Sequence, residues 1–314
     1  MSSNPAIDGV LVQWGERLFY PGNRIVQSRT PRLGPFRTRA DAIRSRIEAT
    51  VRRAPQVMVK VTGGGRGMKT IAAHFRYITK NGRLAIEDDR GSVEQGRDAL
   101  KDIERQWQYG GAYIDPVGHR REAFNVMLSM PRGTDPLIVQ RAAREFARIE
   151  FADHRYVMVL HTHQGNPHVH LSVKAESKHG RRLNPRKADL HRWRETFAER
   201  LREWGVDAEA TRQAVRGAVR NYPDLWRKKA AEEGRERKKR PERKLGEAAT
   251  ATRRSAGKAW AHIAEALRAS AHPADQRLAL DIERFVTGRT LDRQTSKERS
   301  GPRQESQRDM GRER

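Results

Sequence analysis

The sequence predicts an α/β fold in which helices flank a central, largely antiparallel sheet. Strand patterns, in which apolar and polar residues alternate or β-branched residues cluster, occur at residues 56–62, 122–130, 156–160 and 168–173. Helical patterns with a single apolar stripe lie between these segments and after the last of them. Helices that alternate with antiparallel strands indicate one layered domain, and one face of its sheet carries a cluster of histidines.

Charge is the most unusual feature of the composition. The 314 residues include 64 Lys and Arg against 39 Asp and Glu, a formal net charge of +25. This excess indicates a polyanionic partner, with nucleic acid preferred over an anionic membrane surface. No stretch is long and apolar enough for membrane insertion, and the N-terminus lacks an apolar signal core, so we expect a cytoplasmic protein. The absence of cysteine excludes disulfides and thiol catalysis.

Changes in composition divide the sequence into three predicted parts. Residues 1–55 are a basic N-terminal extension, residues 56–222 the main domain, and residues 223–314 a basic helical and partly disordered C-terminal region. The extension contains one helical candidate at 39–52. A loosely packed tail is preferred there over a mobile basic arm on nucleic acid.

The C-terminal region is predicted to contain a small helical unit. Residues 260–267 and 278–286 have the required helical patterns. Residues 227–244 are dense in Lys, Arg and Glu and are expected to form a solvated helix or a linker, and residues 290–314 have a disordered composition.

The main domain begins with the strand at 56–62 and a glycine run at 63–67, which at most contacts a nucleic-acid phosphate. A helix over Met68–Lys80 follows and stops at an Asn-Gly pair. Residues 87–89 are acidic, and a solvated turn is preferred there over a carboxylate near a metal. Further helices are predicted at residues 93–109, 136–151 (capped by Asp135), 188–204 and 208–219.

Four of the eleven histidines lie in one segment, YVMVLHTHQGNPHVHLSVK, from Tyr156 to Lys174. Its Gly-Asn-Pro break between two strand-like flanks predicts two strands joined by a short turn. Alternate side chains of a strand share a face, so His168 and His170 project together while the residues that alternate with them point into a core. His161 and His163 form a second pair on the partner strand.

Three imidazoles brought together in this way can hold a divalent metal ion and leave positions open for substrate and water. The alternatives are ordinary polar histidines and a structural zinc site. Two same-face pairs across one turn argue against the first alternative. A structural zinc site has four protein ligands and no open position. Its ligands commonly include cysteine, which this chain lacks.

Tyr77 is the candidate nucleophile among the six tyrosines. It lies in the last turn of its predicted helix, off the apolar stripe and among His74, Arg76, Lys80 and Arg83. A tyrosine, a histidine-bound metal and a basic surface suit phosphodiester cleavage by covalent catalysis. A phenol, with an ordinary pKa of about 10, then needs a nearby base or an electropositive site.

Four motifs carry a family resemblance: HFRYITKNG around Tyr77, NVMLSMPRGTD ending at Asp135, LHTHQGNPHVHLSVK, and RLNPRKADLHRWRETFAERLREWGVDAEATRQAVRG. A chain with these motifs, in this order, resembles the relaxases of conjugative and mobilisable plasmids, the mobilisation nucleases that include the T-DNA border endonucleases. The resemblance covers roughly residues 56–217, about half of the chain. The tyrosine precedes the histidines, and the residues four places either side of it are Ala73 and Asn81, which favours a single-tyrosine relaxase.

The resemblance implies a site- and strand-specific DNA endonuclease and transesterase that nicks an origin of transfer to start conjugative transfer or mobilisation. The family's nucleophile corresponds to Tyr77, which would stay linked to the 5′ end of the cut strand. The metal ligands correspond to His161, His168 and His170, with Mg²⁺ or Mn²⁺ as the cofactor. The implied partners are single-stranded DNA, relaxosome accessory proteins and a type IV secretion coupling protein.

The expected DNA contacts are Ser129, which corresponds to the serine of the family's middle motif, together with Arg76, Lys80, Arg182 and Arg186.

One position departs from the family pattern. The last motif often has an acidic residue two places after its first histidine, and here that residue is His163. Either His163 acts as the catalytic base or orienting partner, or the tyrosine is activated differently. Two other functions remain as alternatives: a non-catalytic single-stranded DNA-binding accessory protein, and a hydrolytic metal-dependent nuclease that does not need Tyr77.

Overall fold

The computed structural model describes residues 5–20, 36–163, 165–218, 234–235, 243–244 and 246–298. The chain divides into two compact units. Residues 52–163 and 165–211 form the first, which we call the sheet unit. The described residues up to Val51 and from Arg212 onward form the second, which we call the helical unit.

The helices and strands of the described residues are numbered in chain order. The helical unit contains α1 (Pro5–Phe19), α2 (Phe36–Val51), α7 (Glu247–Arg268) and α8 (Pro273–Glu298). The sheet unit contains β1 (Met58–Gly63), α3 (Met68–Ile78), β2 (Ile86–Asp88), β3 (Val93–Glu94), α4 (Arg97–Tyr109), β4 (Ala123–Ser129), α5 (Pro136–Glu150), β5 (His154–His161), β6 (His168–Ser177) and α6 (Lys187–Glu203).

Six strands form one antiparallel sheet in the order β1-β4-β6-β5-β2-β3. The predicted class, an α/β fold with a central antiparallel sheet flanked by helices, is thereby confirmed. β6 lies at the centre and pairs with both β4 and β5. Its first residue, His168, is opposite His161 of β5 on one side and opposite Ser129 of β4 on the other.

Different helices cover the two faces of the sheet. α5 and α6 cover one face, where Val126, Leu171 and Trp193 belong to a core in which each is at most 1% exposed. α3 and α4 cover the other face, where the rings of Phe75 and Trp107 meet edge to face with 4.9 Å between their centroids. Neighbouring side chains on a strand point to opposite faces. The apolar residues of β6 therefore face α5 and α6, and its histidines face α3.

Two short strands were missed by the sequence prediction. The helix predicted from Val93 begins at Arg97, because Val93 and Glu94 form β3 and pair with β2. The prediction of a solvated turn at residues 87–89 was wrong for Glu87, which is a buried residue of β2, whereas Asp89 lies in the turn that follows this strand. Nor does Glu87 serve a metal site: Arg144 Nη2 donates to its Oε2 at 2.8 Å in a buried ion pair.

The helix predicted at 208–219 is absent from the described residues 208–218. Glu209 is extended instead: its N–H donates to the Pro55 carbonyl and its carbonyl accepts from Val57 N–H, both at 2.9 Å. Residues 213–217 form turns. Pairing with a distant segment therefore outweighs the helical propensity of this stretch.

The glycine run at 63–67 serves backbone packing. A Cβ atom at Gly64 would collide with the Ala123 carbonyl oxygen, and one at Gly67 would lie 2.8 Å from the Gly118 nitrogen. The Gly65 N–H donates to the Ala123 carbonyl at 3.1 Å. Close approach of neighbouring backbone thus explains these glycines without a phosphate.

In the helical unit, helices from both ends of the chain share one core. Leu11, Ile43 and Trp260 are fully buried together, and the Trp260 indole donates to the Val215 carbonyl at 3.0 Å. The prediction of a loosely packed N-terminal tail was therefore wrong for α1 and α2. The three-part division drawn from the sequence also separates segments that pack together, since α1 packs on α7 and α2 on α8.

The helices predicted at 260–267 and 278–286 lie inside the longer α7 and α8. Most of the expected linker at 227–244, and residues 299–314 of the segment with disordered composition, lie outside the described residues. Residues 290–298 continue α8. Among the described helices, none combines the length and the apolar content that crossing a membrane requires.

Lys174 provides a test of how the sheet unit is held together. Its buried ammonium group donates to the carbonyl oxygens of Trp107, Gly110 and Ala112 at 3.3, 3.5 and 2.8 Å, where α4 ends. We expect Lys174→Met to destabilise this region by about 1–3 kcal/mol, because the carbonyls lose a charged donor. The measurement is loss of hydrogen-exchange protection for the α4 amides.

The matched control is Lys178→Met. The Lys178 side chain is 53% exposed and lies 3.6 Å from Asp89. A surface ion pair of this kind contributes little, so protection of α4 should change by less than about 0.5 kcal/mol. Equal losses in the two variants would contradict the role assigned to Lys174.

Candidate active site

The β5–β6 hairpin brings three histidines to one point. His161 ends β5, His168 begins β6, and His170 follows on the same face. The ring centroids are 5.1 Å apart for His161–His168 and for His168–His170, and 4.6 Å apart for His161–His170. One ring nitrogen from each residue lies within 4.8 Å of the other two. We refer to these three residues as the histidine triad.

Backbone carbonyls fix two rings of the triad. His161 Nε2 lies 2.6 Å from the Ile78 carbonyl oxygen, and His168 Nδ1 lies 2.9 Å from the Asn166 carbonyl oxygen. A carbonyl oxygen only accepts, so the ring nitrogen facing it carries the hydrogen and the other nitrogen keeps its lone pair. This is the arrangement by which proteins orient metal-binding histidines.

Burial keeps His161 and His170 of the triad uncharged near neutral pH. Burial, with the neighbouring histidines acting in the same direction, lowers the pKa of His170 to about 3. Burial also lowers the pKa of His161, against the hydrogen bond to the Ile78 carbonyl, which raises it. A neutral imidazole has the lone pair that a metal ion needs. The three imidazoles and the neutral state of His161 and His170 therefore fit a divalent metal ion held by the triad.

Tyr77 lies beside the triad on the exposed end of α3. Its side chain is 70% exposed, and its ring meets that of His170 edge to face with 6.4 Å between centroids. Both border one open cleft of ≈ 570 Å³. The cleft is lined by Ala73, Arg76, Tyr77, Lys80, Asn81, Arg83, His161, His163, His168 and His170. The phenol and the triad are thus on the same side of the sheet.

The chain turns sharply after Tyr77, and this turn shapes the cleft. α3 ends at Ile78, and Lys80 and Asn81 then adopt positive φ angles of 51° and 60°. Thr79 is fully buried, and its hydroxyl donates to the Phe75 carbonyl at 2.7 Å and accepts from Gly82 N–H at 3.0 Å. The turn carries cationic side chains into the cleft, where a phosphate would be attracted.

His74 is a cleft neighbour to which the sequence analysis gave no role. Its ring centroid lies 6.2 Å from that of Tyr77 and 6.3 Å from that of His170. Burial lowers the pKa of His74 to about 4, and its Nε2 atom is buried with no hydrogen-bond partner among the described residues. The signal in the sequence is its position three residues before Tyr77, which puts both on one helix face.

His163 lies in the cleft but is not part of the triad. It comes after the end of β5 and is exposed, with its ring 5.1 Å from that of His161. Partial desolvation and the nearby charges of Lys80 and His168 lower the pKa of His163. It is therefore an accessible imidazole on the rim of the cleft that Tyr77 borders.

Three expected DNA contacts lie away from the cleft lining. Ser129 is buried, and its hydroxyl donates to the Pro167 carbonyl at 3.2 Å below the hairpin turn. Arg182 is held by ion pairs with Glu122 and Glu176 at 3.3 and 3.0 Å. Arg186 is exposed at the start of α6. Of the expected contacts, Arg76 and Lys80 line the cleft, and Arg76 also pairs with Glu104 at 3.1 Å.

The site thus combines an antiparallel sheet, three histidines on its central hairpin that could hold a metal ion, and a tyrosine at the neighbouring helix end. Residues 77–206 match the family model described as Relaxase: MobA/VirD2-like, nuclease domain. The match places a relaxase-type nuclease domain at residues 77–206, which supports a role in DNA nicking and mobilisation in general. The comparison with curated proteins gave no match.

Metal binding tests the triad directly. We expect the full chain to bind one Mn²⁺ ion, and His168→Ala to weaken that binding at least about tenfold because a ligand is removed. Isothermal titration calorimetry measures the affinity without any substrate. The control is His179→Ala, since His179 is exposed and lies 3.7 Å from Asp153. An unchanged affinity in His168→Ala would argue against the triad as the ligand set.

Proposed function

We propose that the chain nicks one DNA strand at a specific site in an origin of transfer, by a transesterification that links Tyr77 to the 5′ phosphate. The observation that carries the proposal is the common cleft: the exposed phenol of Tyr77 and the histidine triad border the same cationic cavity. Relaxase nuclease domains act on single-stranded DNA, which agrees with the net charge of +25.

The proposed reaction exchanges one phosphodiester bond for another. The phenol oxygen of Tyr77 attacks the scissile phosphorus, a new P–O bond forms, and the bond to the 3′ oxygen breaks. The phenol proton passes to His163, and the departing 3′ oxygen takes up a proton. Because the covalent product is still a phosphodiester, the cut strand can be resealed by the reverse reaction without ATP.

The residues around Tyr77 have separate tasks in this proposal. Arg76 and Lys80 attract the DNA backbone, and His161, His168 and His170 hold the ion, proposed to be Mg²⁺ or Mn²⁺. An all-imidazole donor set suits transition metals better than Mg²⁺, which prefers oxygen ligands. When bound, the ion supplies positive charge for a non-bridging oxygen of the scissile phosphate.

The proposal extends to the setting of the reaction. We infer that the chain works in the cytoplasm on an origin of transfer, together with relaxosome accessory proteins and a type IV secretion coupling protein. Conjugative transfer or mobilisation of DNA would then start from the covalent complex at the 5′ end.

Replacing the nucleophile is the decisive test. Tyr77→Phe should lower nicking of a supercoiled plasmid that carries the cognate origin by at least about a thousandfold, because no phenol oxygen remains. Affinity for single-stranded DNA should stay within about twofold, because it comes largely from Lys and Arg. Mass spectrometry of the protein–oligonucleotide adduct identifies the linked residue, and anisotropy measures binding.

Tyr109→Phe is the matched control, since Tyr109 is a 66% exposed tyrosine at the end of α4 and outside the cleft lining. It should nick normally. Nicking that survives Tyr77→Phe would favour a hydrolytic nuclease, and binding without any nicking by the unaltered chain would favour an accessory protein.

The role proposed for His163 can be separated from metal binding. His163→Ala should slow nicking by about 10²–10⁴-fold, the usual contribution of a general base, while leaving Mn²⁺ affinity nearly unchanged. His163→Asp places at this position the kind of residue that related relaxases often have, and it should recover much of the missing rate. If His163→Ala nicks at the normal rate, another group accepts the proton.

A further inference from the structure

We propose that a second pocket of the sheet unit binds one nucleotide of the single strand outside the cleft. Its arginines would hold the phosphate and its apolar floor the base. We call this site the edge pocket, because it borders β1 at the edge of the sheet. The inference rests on the proposed function, in which single-stranded DNA is the substrate.

The edge pocket encloses a cavity of ≈ 420 Å³, and its lining has two parts. The floor is apolar and the rim is polar, the usual composition of a small-ligand site. The floor is formed by Val61, Phe124, Pro185 and Leu190, and the rim by Arg66, His119, Arg121 and Asn184. No carboxylate lies among these lining residues.

Two rim arginines are available to an anion. Within the described part of the chain, neither Arg66 nor Arg121 forms an ion pair. The neighbouring Arg120 and Arg182, in contrast, are paired with Glu122 at 2.8 and 3.3 Å. The rim therefore carries uncompensated positive charge, which suits a phosphate group.

Where the rim meets the floor, the Arg121 guanidinium offers a plane on which a base can stack. The guanidinium carbon of Arg121 lies 5.1 Å from the centroid of the Phe124 ring, so a planar cation and an aromatic ring adjoin. Bases of single strands stack on aromatic rings and on guanidinium planes. A Cβ atom at Gly64 would lie 3.1 Å from Cδ of Arg121, so this glycine also leaves room for the arginine.

The edge pocket lies on a different part of the sheet from Tyr77. Phe124 precedes Ser129 by five residues on β4, about 16 Å along the strand, and its side chain points to the face covered by α5 and α6. β1 spans this interval, since Met58 pairs with Ser129 and Val61 borders the pocket. The cleft and the edge pocket therefore lie on opposite faces of the sheet, and a DNA strand that occupies both must cross the β1 edge.

The test measures binding of the oligonucleotide (dT)20 to the full chain carrying Tyr77→Phe, by fluorescence anisotropy without divalent metal. Adding Arg66→Ala and Arg121→Ala together should weaken binding at least about tenfold at low salt. The log–log salt slope should become shallower by about 0.7 for each phosphate that is no longer neutralised. Arg121→Ala alone should weaken binding several-fold, whereas Arg120→Ala, which also removes one charge at the neighbouring position, should change affinity less than about twofold.

A second variant separates the base from the phosphate. Arg121→Lys keeps the charge but removes the planar group beside Phe124, so the salt slope should stay the same while (dT)20 binding weakens several-fold. Thymidine 5′-monophosphate should displace (dT)20 at lower concentration than inorganic phosphate does. Equal potency of the two competitors would reduce the pocket to a plain anion site and overturn the inference.

Equal loss of affinity in Arg120→Ala and in Arg121→Ala would also overturn the inference, because charge alone would explain it. These measurements involve no nicking, so a negative result leaves the Tyr77 experiment untouched. A chain that binds (dT)20 through the edge pocket but forms no 5′ adduct would contradict the proposed function instead.

Discussion

The register of the β5–β6 pairing is the constraint on which the site depends. His161 lies opposite His168, and His170 is two residues further on the same face. A shift of one residue would turn every side chain of a strand to the opposite face. Val169 and Leu171 prevent it, because both are fully buried on the face covered by α5 and α6. The apolar core therefore decides where the imidazoles of the triad point.

A hydrogen bond at the residue after Tyr77 connects the end of α3 to the triad. Ile78 directly follows Tyr77, and its carbonyl oxygen accepts from His161 Nε2 across 83 positions of the sequence. This hydrogen bond therefore fixes the distance between the end of α3 and the end of β5. The buried Thr79 hydroxyl and the positive φ angles of Lys80 and Asn81 then turn the chain so that its cationic side chains surround the phenol.

Sequence reasoning succeeded where the determining contacts are local. The hairpin followed from the alternation of histidines with buried apolar residues, and the start of α5 from Asp135, whose carboxylate accepts from the Leu137 N–H at 2.8 Å. It failed where the partner is distant. Glu87 looked solvated because its partner, Arg144, is 57 positions away. The α1 and α2 helices looked like a tail because their core comes from α7 and α8.

The same limit applies to the site. Tyr77 stood out because its neighbours in sequence are basic, and its place beside His170 then depended on how α3 lies across the sheet. His74 was overlooked because only the packing of that helix reveals a buried ring nitrogen without a hydrogen-bond partner among the described residues. Arg182 was predicted to contact DNA because it lies in a basic loop, but its guanidinium pairs with the carboxylates of Glu122, just before β4, and Glu176 of β6.

The shared core of α1, α2, α7 and α8 has a consequence for biosynthesis. The ribosome synthesises residues 52–211 after α1 and α2. It synthesises α7 and α8, which complete the core around α1 and α2, only afterwards. The sheet unit can thus complete itself while Leu11, Ile43 and the apolar faces around them still lack their later-made neighbours. During that interval the nascent chain exposes an apolar surface to which chaperones can bind, and the sheet unit is the first of the two units to be complete.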